Sequence, residues 1–291
     1  MLCEGDYVDN NGDLQKNKSV TVWGEWEADS DSVNWEAGDY SANIKNIGKR
    51  FPKYLFKPYI RKEIPPKAES GENGKSTCSI DIEESKACCS DNGGYQNTDP
   101  FIFGDNFLYG ICKQGPKKGF KKNKLTELEV GSVILFGNRI GKRKGEFKFE
   151  IDTVFVVGDY FVDNDHKYYY TDEVEKLLDY PQVNSDYVKM SLMLAYPKGC
   201  KREKRRLYFG ATYDNPVNGM YSFSPVREYD GKGFEKLLID SEEETGVSLG
   251  LNRNWKKLKK DPQGVWETVR KKSRRQGYFE GVRFEMPRRE Q

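Results

Sequence analysis

The chain contains a single histidine, His166, among 291 residues. Metal sites built on two or more imidazoles, such as HExxH or a facial triad, are thereby excluded, as are multi-histidine phosphotransfer sites. A Ser-His-Asp or Cys-His arrangement would have to use His166, which lies in the polar run Asp163-Asn164-Asp165-His166-Lys167-Tyr168 and reads as an exposed turn residue. Proton transfer must then rest on carboxylates, tyrosines, lysines or water. The six cysteines include no CxxC pair, and Cys88 and Cys89 are adjacent, a poor spacing for one ion. Free structural thiols in a reducing compartment are expected, rather than a zinc site from Cys78, Cys88 or Cys89, and Cys112. No apolar run approaches the roughly 20 residues that span a bilayer. The acidic opening segment lacks the basic start and apolar stretch of a secretory signal. The expectation is a cytoplasmic protein with no membrane partner, no metal and no cofactor.

A phosphate-binding loop is also missing, despite an approximation to one. Gly71-Glu72-Asn73-Gly74-Lys75-Ser76 ends as G-x-x-x-x-G-K-[ST] does, but the first glycine of that pattern falls on Glu69. The amide nest is therefore incomplete, and Glu63-Ile64-Pro65-Pro66-Lys67 stands where a buried strand should precede it. Residues 63–97 read as an exposed polar insertion.

What the chain does have is segregated charge. Lys plus Arg number 48 and Asp plus Glu 46, a formal net charge of +2. Residues 1–39 hold ten acidic residues and two Lys, as do residues 150–186. Against them stand basic blocks at 115–148, 198–206 and 253–275, with ten, six and ten Lys or Arg respectively. Separated basic blocks are the electrostatic footprint of a polyanion partner, and a solvated surface of mixed sign is the alternative.

Strand patterns dominate. Ser19 to Glu27 alternates β-formers and carries Trp23 and Trp26 close to Glu25. Val133-Ile134-Leu135-Phe136 and Phe147 to Gly158 predict a β-hairpin with a basic tip at 138–145, its second strand ending in a fully apolar run. Arg205 to Tyr213 predicts a strand, with Met220 to Val226 returning as its partner across the turn at 214–219. Thr171 is placed to cap a helix over 171–178. Val265, Trp266 and Val269 share the apolar face of a basic helix in a tail over 253–291. The expected architecture is α+β: one compact domain over 1–291 around a mostly antiparallel sheet, with the 63–97 insertion and the basic helical tail packed on it.

A Trp-bearing first strand, a leucine-bearing turn, Gly131-Ser132-Val133-Ile134-Leu135-Phe136 and an Ile151-Asp152-Thr153-Val154 strand resemble, in that order, the PUA-like β-barrels, particularly the EVE and ASCH domains. Ser132 stands where those families carry an acidic residue, and the chain is longer than one such domain. The resemblance implies a PUA-like barrel sheet and an aromatic pocket for a base, often a modified one. It transfers no catalytic residue.

Taken with the charge blocks, this yields an expectation: a DNA- or RNA-directed protein that accepts an extruded, modified base. Phosphate contacts and aromatic stacking would offset the unstacking cost. Trp23, Trp26, Phe101, Phe103 and Tyr109 are the pocket candidates. Lys117, Lys118, Lys121, Arg139, Lys142, Arg143, Arg205, Arg206, Arg270 and Arg274 are the backbone contacts. The favoured reaction is DNA glycosylase-like N-glycosidic hydrolysis, which needs neither metal nor histidine when a carboxylate orients water and stabilises the developing cationic sugar. Asp99, in an aromatic turn before Pro100, is the first candidate, followed by Asp105, Glu25 and Asp152. Such chemistry would suit defence against modified phage DNA. Two alternatives stand beside it: a non-catalytic reader of modified bases, and an interaction protein whose acidic and basic surfaces pair between subunits. Oligomeric state is left open.

Overall fold

A computed structural model of the chain describes residues 2–21, 32–37, 40–45, 68–70, 76–78, 100–110, 114, 124–140, 148–163, 168–188, 192, 203–228, 236–239 and 261–284. The strands run in chain order as β1 (Leu2–Val8), β2 (Leu14–Thr21), β3 (Ser32–Ala37), β4 (Tyr40–Lys45), β5 (Ala68–Ser70), β6 (Ser76–Cys78), β7 (Leu108–Tyr109), β8 (Val133–Ile140), β9 (Lys148–Tyr160), β10 (Tyr169–Tyr170), β11 (Lys204–Arg205), β12 (Tyr208–Gly210), β13 (Ser224–Glu228), β14 (Leu237–Ile239) and β15 (Phe279–Phe284). A short α1 (Ser185–Tyr187), a longer α2 (Pro262–Arg275) and a 3-10 helix (Thr171–Asp179) complete the main elements. The architecture is α+β and its strand pairing antiparallel. Among the described residues no helix is long and apolar enough to cross a membrane.

β1 and β2 form a hairpin because Asp9 organises the turn between them. Its Oδ1 accepts from the backbone N–H of Asn11 and Asp13 at 2.9 and 3.0 Å, and its Oδ2 accepts from Gln15 Nε2 at 2.9 Å. β15 pairs with the other edge of β1, and β13 pairs with both β15 and β2, so the four strands form a ring of pairings.

The second sheet is organised on β9. This strand pairs with β8 from Val133↔Val156 to Ile140↔Lys148, with β14 around Leu237↔Ile151, and with β12 through Tyr208↔Tyr160. Residues 151–157 are buried without interruption. Phe155 and Val157 enter one apolar cluster, with Phe101, Tyr109, Phe136 and Tyr208. Val154 and Val156 enter another, with Phe223, Trp266 and Val269. A strand that feeds cores on both faces is apolar at consecutive positions, which is why its sequence loses alternation over 154–157. A bridge between Val154 and Phe223, with N–H···O distances of 2.8 and 2.9 Å, joins this sheet to the segment entering β13.

Four expectations change. Met220 to Val226 shares one backbone bond with the earlier strand, from Ser222 N–H to Ala211 O, but otherwise turns to β9, β15 and β2. Thr171 caps no helix, because its Oγ1 accepts from the backbone N–H of Glu203 at 3.3 Å and the element it opens is 3-10. The C-terminal segment is more than a helical tail: beyond α2 the chain turns at Gly277, at φ +78°, and becomes β15, between β1 and β13. Residues 138–140, expected in the basic hairpin tip, continue β8 and pair with β9. Within the expected insertion, β5 and β6 pair with each other; the rest of 63–97, His166, Cys88, Cys89, Cys112 and residues 141–147 lie outside the described residues.

Candidate functional site

The densest charged constellation lies where α2 meets β15. Asp261 caps the helix, its Oδ1 accepting from Gly264 N–H at 2.6 Å, and Pro262 opens the first turn. Val265, Trp266, Val269 and Ser273 form the buried stripe, and Trp266 Nε1 donates to Tyr221 O at 2.9 Å. This anchoring places Arg270 and Arg274, one turn apart, over Glu280 of β15. Both Nε atoms donate to the same Glu280 Oε1, at 2.8 and 2.7 Å, while the Tyr221 hydroxyl donates to Oε2. Glu280 is completely buried, and a lone buried carboxylate would be costly. Three donors offset that cost here. The Arg270 guanidinium also lies 4.9 Å from the Trp266 ring centroid and 5.5 Å from that of Tyr221. Burial, reinforced by the adjacent Glu280 carboxylate, raises the Tyr221 phenol well above its ordinary pKa, so Tyr221 serves as a fixed donor.

Two other candidate contacts have internal partners. Arg206 is 3% exposed; its Nη1 donates to Leu128 O at 2.8 Å, and its guanidinium lies over Tyr160 at 4.3 Å. Its backbone is held by Gln114, which accepts from Arg206 N–H at 2.8 Å and donates to Arg206 O at 2.7 Å, imitating a strand neighbour. Arg205 is buried and pairs with Glu203 at 2.6 Å. The basic run at 198–206 thus sends these two side chains inward, where tyrosine faces and a carboxylate receive them. Arg139 lies on β8, whereas Lys117, Lys118, Lys121, Lys142 and Arg143 lie outside the described residues.

Of the carboxylates, Asp152 occupies a bulge. Phe136 pairs with Thr153 and Gly137 with Ile151, which leaves Asp152 as the extra residue of β9. Its side chain is 0% exposed and pairs with Lys236 Nζ at 2.7 Å. Asp105 is exposed in the turn between Phe101 and Leu108, beside Gly104 at φ +72°. Asp99, Glu25, Trp23 and Trp26 lie outside the described residues. Phe101, Phe103 and Tyr109 are buried together in the first apolar cluster: Phe101 meets Phe103 edge-on at 5.4 Å, and Tyr109 stacks on Tyr208 at 5.7 Å. They pack against one another as core, with their faces already occupied.

Sequence reasoning passed over Glu280, Tyr221 and Lys236. The signal for Glu280 was available: in Tyr278-Phe279-Glu280-Gly281-Val282-Arg283-Phe284 it alternates with the apolar Tyr278, Val282 and Phe284, a charge on the buried face. Chemically, the α2–β15 constellation is poorly suited to acid–base work, since its carboxylate accepts from three donors and its cations are guanidiniums. Among the described residues no three His, Cys, Asp or Glu side chains gather as metal ligands would. Compared with protein-family models, characterised proteins and solved structures, the chain has no match.

Proposed function

We propose that this protein is directed to nucleic acid through the phosphate backbone and accepts an extruded, modified base. The observation that carries the first half is α2: Arg270, Lys271, Lys272, Arg274 and Arg275 stand against Glu267 alone on a helix whose apolar stripe faces inward. A helix so anchored holds Lys271 and Arg275 out in solvent at little further entropic cost, and leaves Arg270 and Arg274, though bonded to Glu280, about a quarter exposed. The finer fold reading, a PUA-like barrel within one domain, belongs to the same proposal. The antiparallel ring of β1, β15, β13 and β2 is compatible with it, although the segments that carry the resemblance, on β8 and β9, pair with each other in the second sheet.

Between a hydrolase and a non-catalytic reader, the described carboxylates favour the reader. Asp152 is held by Lys236 and shielded from solvent, and Asp105 stands exposed on a turn, a poor setting for orienting a buried water. The glycosylase-like form of the proposal, with its role in phage defence, therefore requires Asp99 or Glu25. Fluorescence anisotropy with labelled single- and double-stranded oligonucleotides, across a salt series, tests the reading. Binding should weaken steeply as salt rises, and its absence at about 50 mM salt would sink the proposal. Abasic product from a modified oligonucleotide, lost in Asp99→Asn, would select the hydrolase; tight binding without product would select the reader.

A further inference from the structure

We infer that Arg270 and Arg274 form a seat for one phosphate group, with Glu280 as the positioning residue that fixes its geometry. Each guanidinium has five N–H donors, and each commits only its Nε to Glu280. Among the described residues neither guanidinium forms another hydrogen bond, and Arg274 Nη2 is buried without any acceptor. A charged N–H left so is costly, and the other Nη donors of the two forks, which are not enclosed in this way, are the ones an incoming anionic oxygen would meet. The two side chains are 26% and 27% exposed, so the pair is open to solvent on one side. Glu280 Oε2 is occupied by Tyr221, and two guanidiniums against one carboxylate leave a surplus positive charge. Arg275 in the same last turn adds to it, against the negative end of the helix dipole. Two forks held by a common oxygen, one of them over the Trp266 ring, suit a tetrahedral anion with several acceptor oxygens.

The owner of the phosphate, free or in a nucleic-acid backbone, rests on the preceding proposal; the seat itself does not. Nitrogen-labelled protein is titrated with inorganic phosphate while the arginine Nε–H resonances are followed by nuclear magnetic resonance. Saturable shifts of the Arg270 and Arg274 signals are expected. Arg274→Lys keeps the charge but loses the second N–H edge, so phosphate should bind about tenfold more weakly. Lys271→Gln removes one charge from the exposed face of the same helix and should change binding less than about twofold. Unmoved Arg270 and Arg274 signals, or equal losses in the two variants, would overturn the seat. Should Arg274→Lys fail to fold, the titration of the wild-type chain decides alone. A labelled oligonucleotide supplies the second arm. Phosphate shifts at the pair without oligonucleotide binding would keep the seat and reject the nucleic-acid reading; oligonucleotide binding with both arginine signals unmoved by oligonucleotide and by phosphate alike would keep that reading and reject the seat.

Discussion

At Gly137 a β-carbon would fall onto the carbonyl oxygen of Glu150, across the β8–β9 ladder. The bulge that leaves Asp152 as an extra residue brings the two backbones together there, and no side chain fits. Gly137→Ala should therefore cost about 1–3 kcal/mol or more, read as a lowered urea midpoint. Tyr208 gives a pH-dependent counterpart. Its hydroxyl donates to Leu125 O at 2.8 Å and accepts from Leu128 N–H at 3.0 Å, and burial pushes its pKa up from 10.0 to about 12. Because the folded state favours the neutral phenol, the contribution is fully present below pH 10.0 and is lost as pH rises through about 12. Tyr208→Phe should lose about 1 kcal/mol at neutral pH, from the missing hydrogen bonds, and then decline less steeply than wild type above pH 10.0. Urea midpoints measured across that range decide it; parallel declines would remove Tyr208 as the cause.

At the scale of elements, α2 is the clearest case of local and tertiary information agreeing. Asp261 and Pro262 start it, Val265, Trp266 and Val269 give it a buried stripe, and Gly277 ends it with a positive φ. Asp261→Ala should destabilise the protein by about 1 kcal/mol, measured by thermal or urea unfolding, with Asp261→Asn restoring most of it. The β8–β9 hairpin was equally legible, since alternation gave way to an apolar run where β9 becomes buried on both faces. Other elements were not. Thr171 looked like a cap because its hydroxyl was free in the sequence, yet Glu203, 32 residues away, claims it. Arg205 and Arg206 looked like surface cations because two adjacent charges seldom both turn inward; the carboxylate of Glu203, the carbonyl of Leu128 and the face of Tyr160 receive them there.

Across the whole molecule, the ring of β1, β15, β13 and β2 ties the start of the chain to its end. β15 lies between β1 and β13, with Gly5↔Phe284 and Ser224↔Gly281 as its registers on either side. Glu280 within it holds α2 through two arginines, so helix and strand act as one closing unit. A chain truncated after Lys260 should fail to unfold cooperatively, for it would leave facing edges of β1 and β13 unpaired and the second apolar cluster open on the Trp266 side. Circular dichroism melts would show this as a broad transition, and a sharp melt near the wild-type temperature would contradict it. Pairings so distant in sequence also make slow folding the expectation, because loop closure precedes the contacts that reward it.

The sequence by itself determined which chemistries are closed to this protein, where its cations and acids are concentrated, and which segments become the β8–β9 hairpin and the α2 helix. Those properties are counts and short-range periodicities, written within a few turns or strand residues of each other. Only the tertiary structure decided which charges are spent inside. Arg206 lies against Tyr160, Asp152 is held by Lys236, and Phe101, Phe103 and Tyr109 meet as core, because residues far apart in the chain arrive as partners. Arg270 and Arg274 keep an open side for the complementary reason: among the described residues the one carboxylate that reaches them, Glu280, has two oxygens and has given one of them to Tyr221.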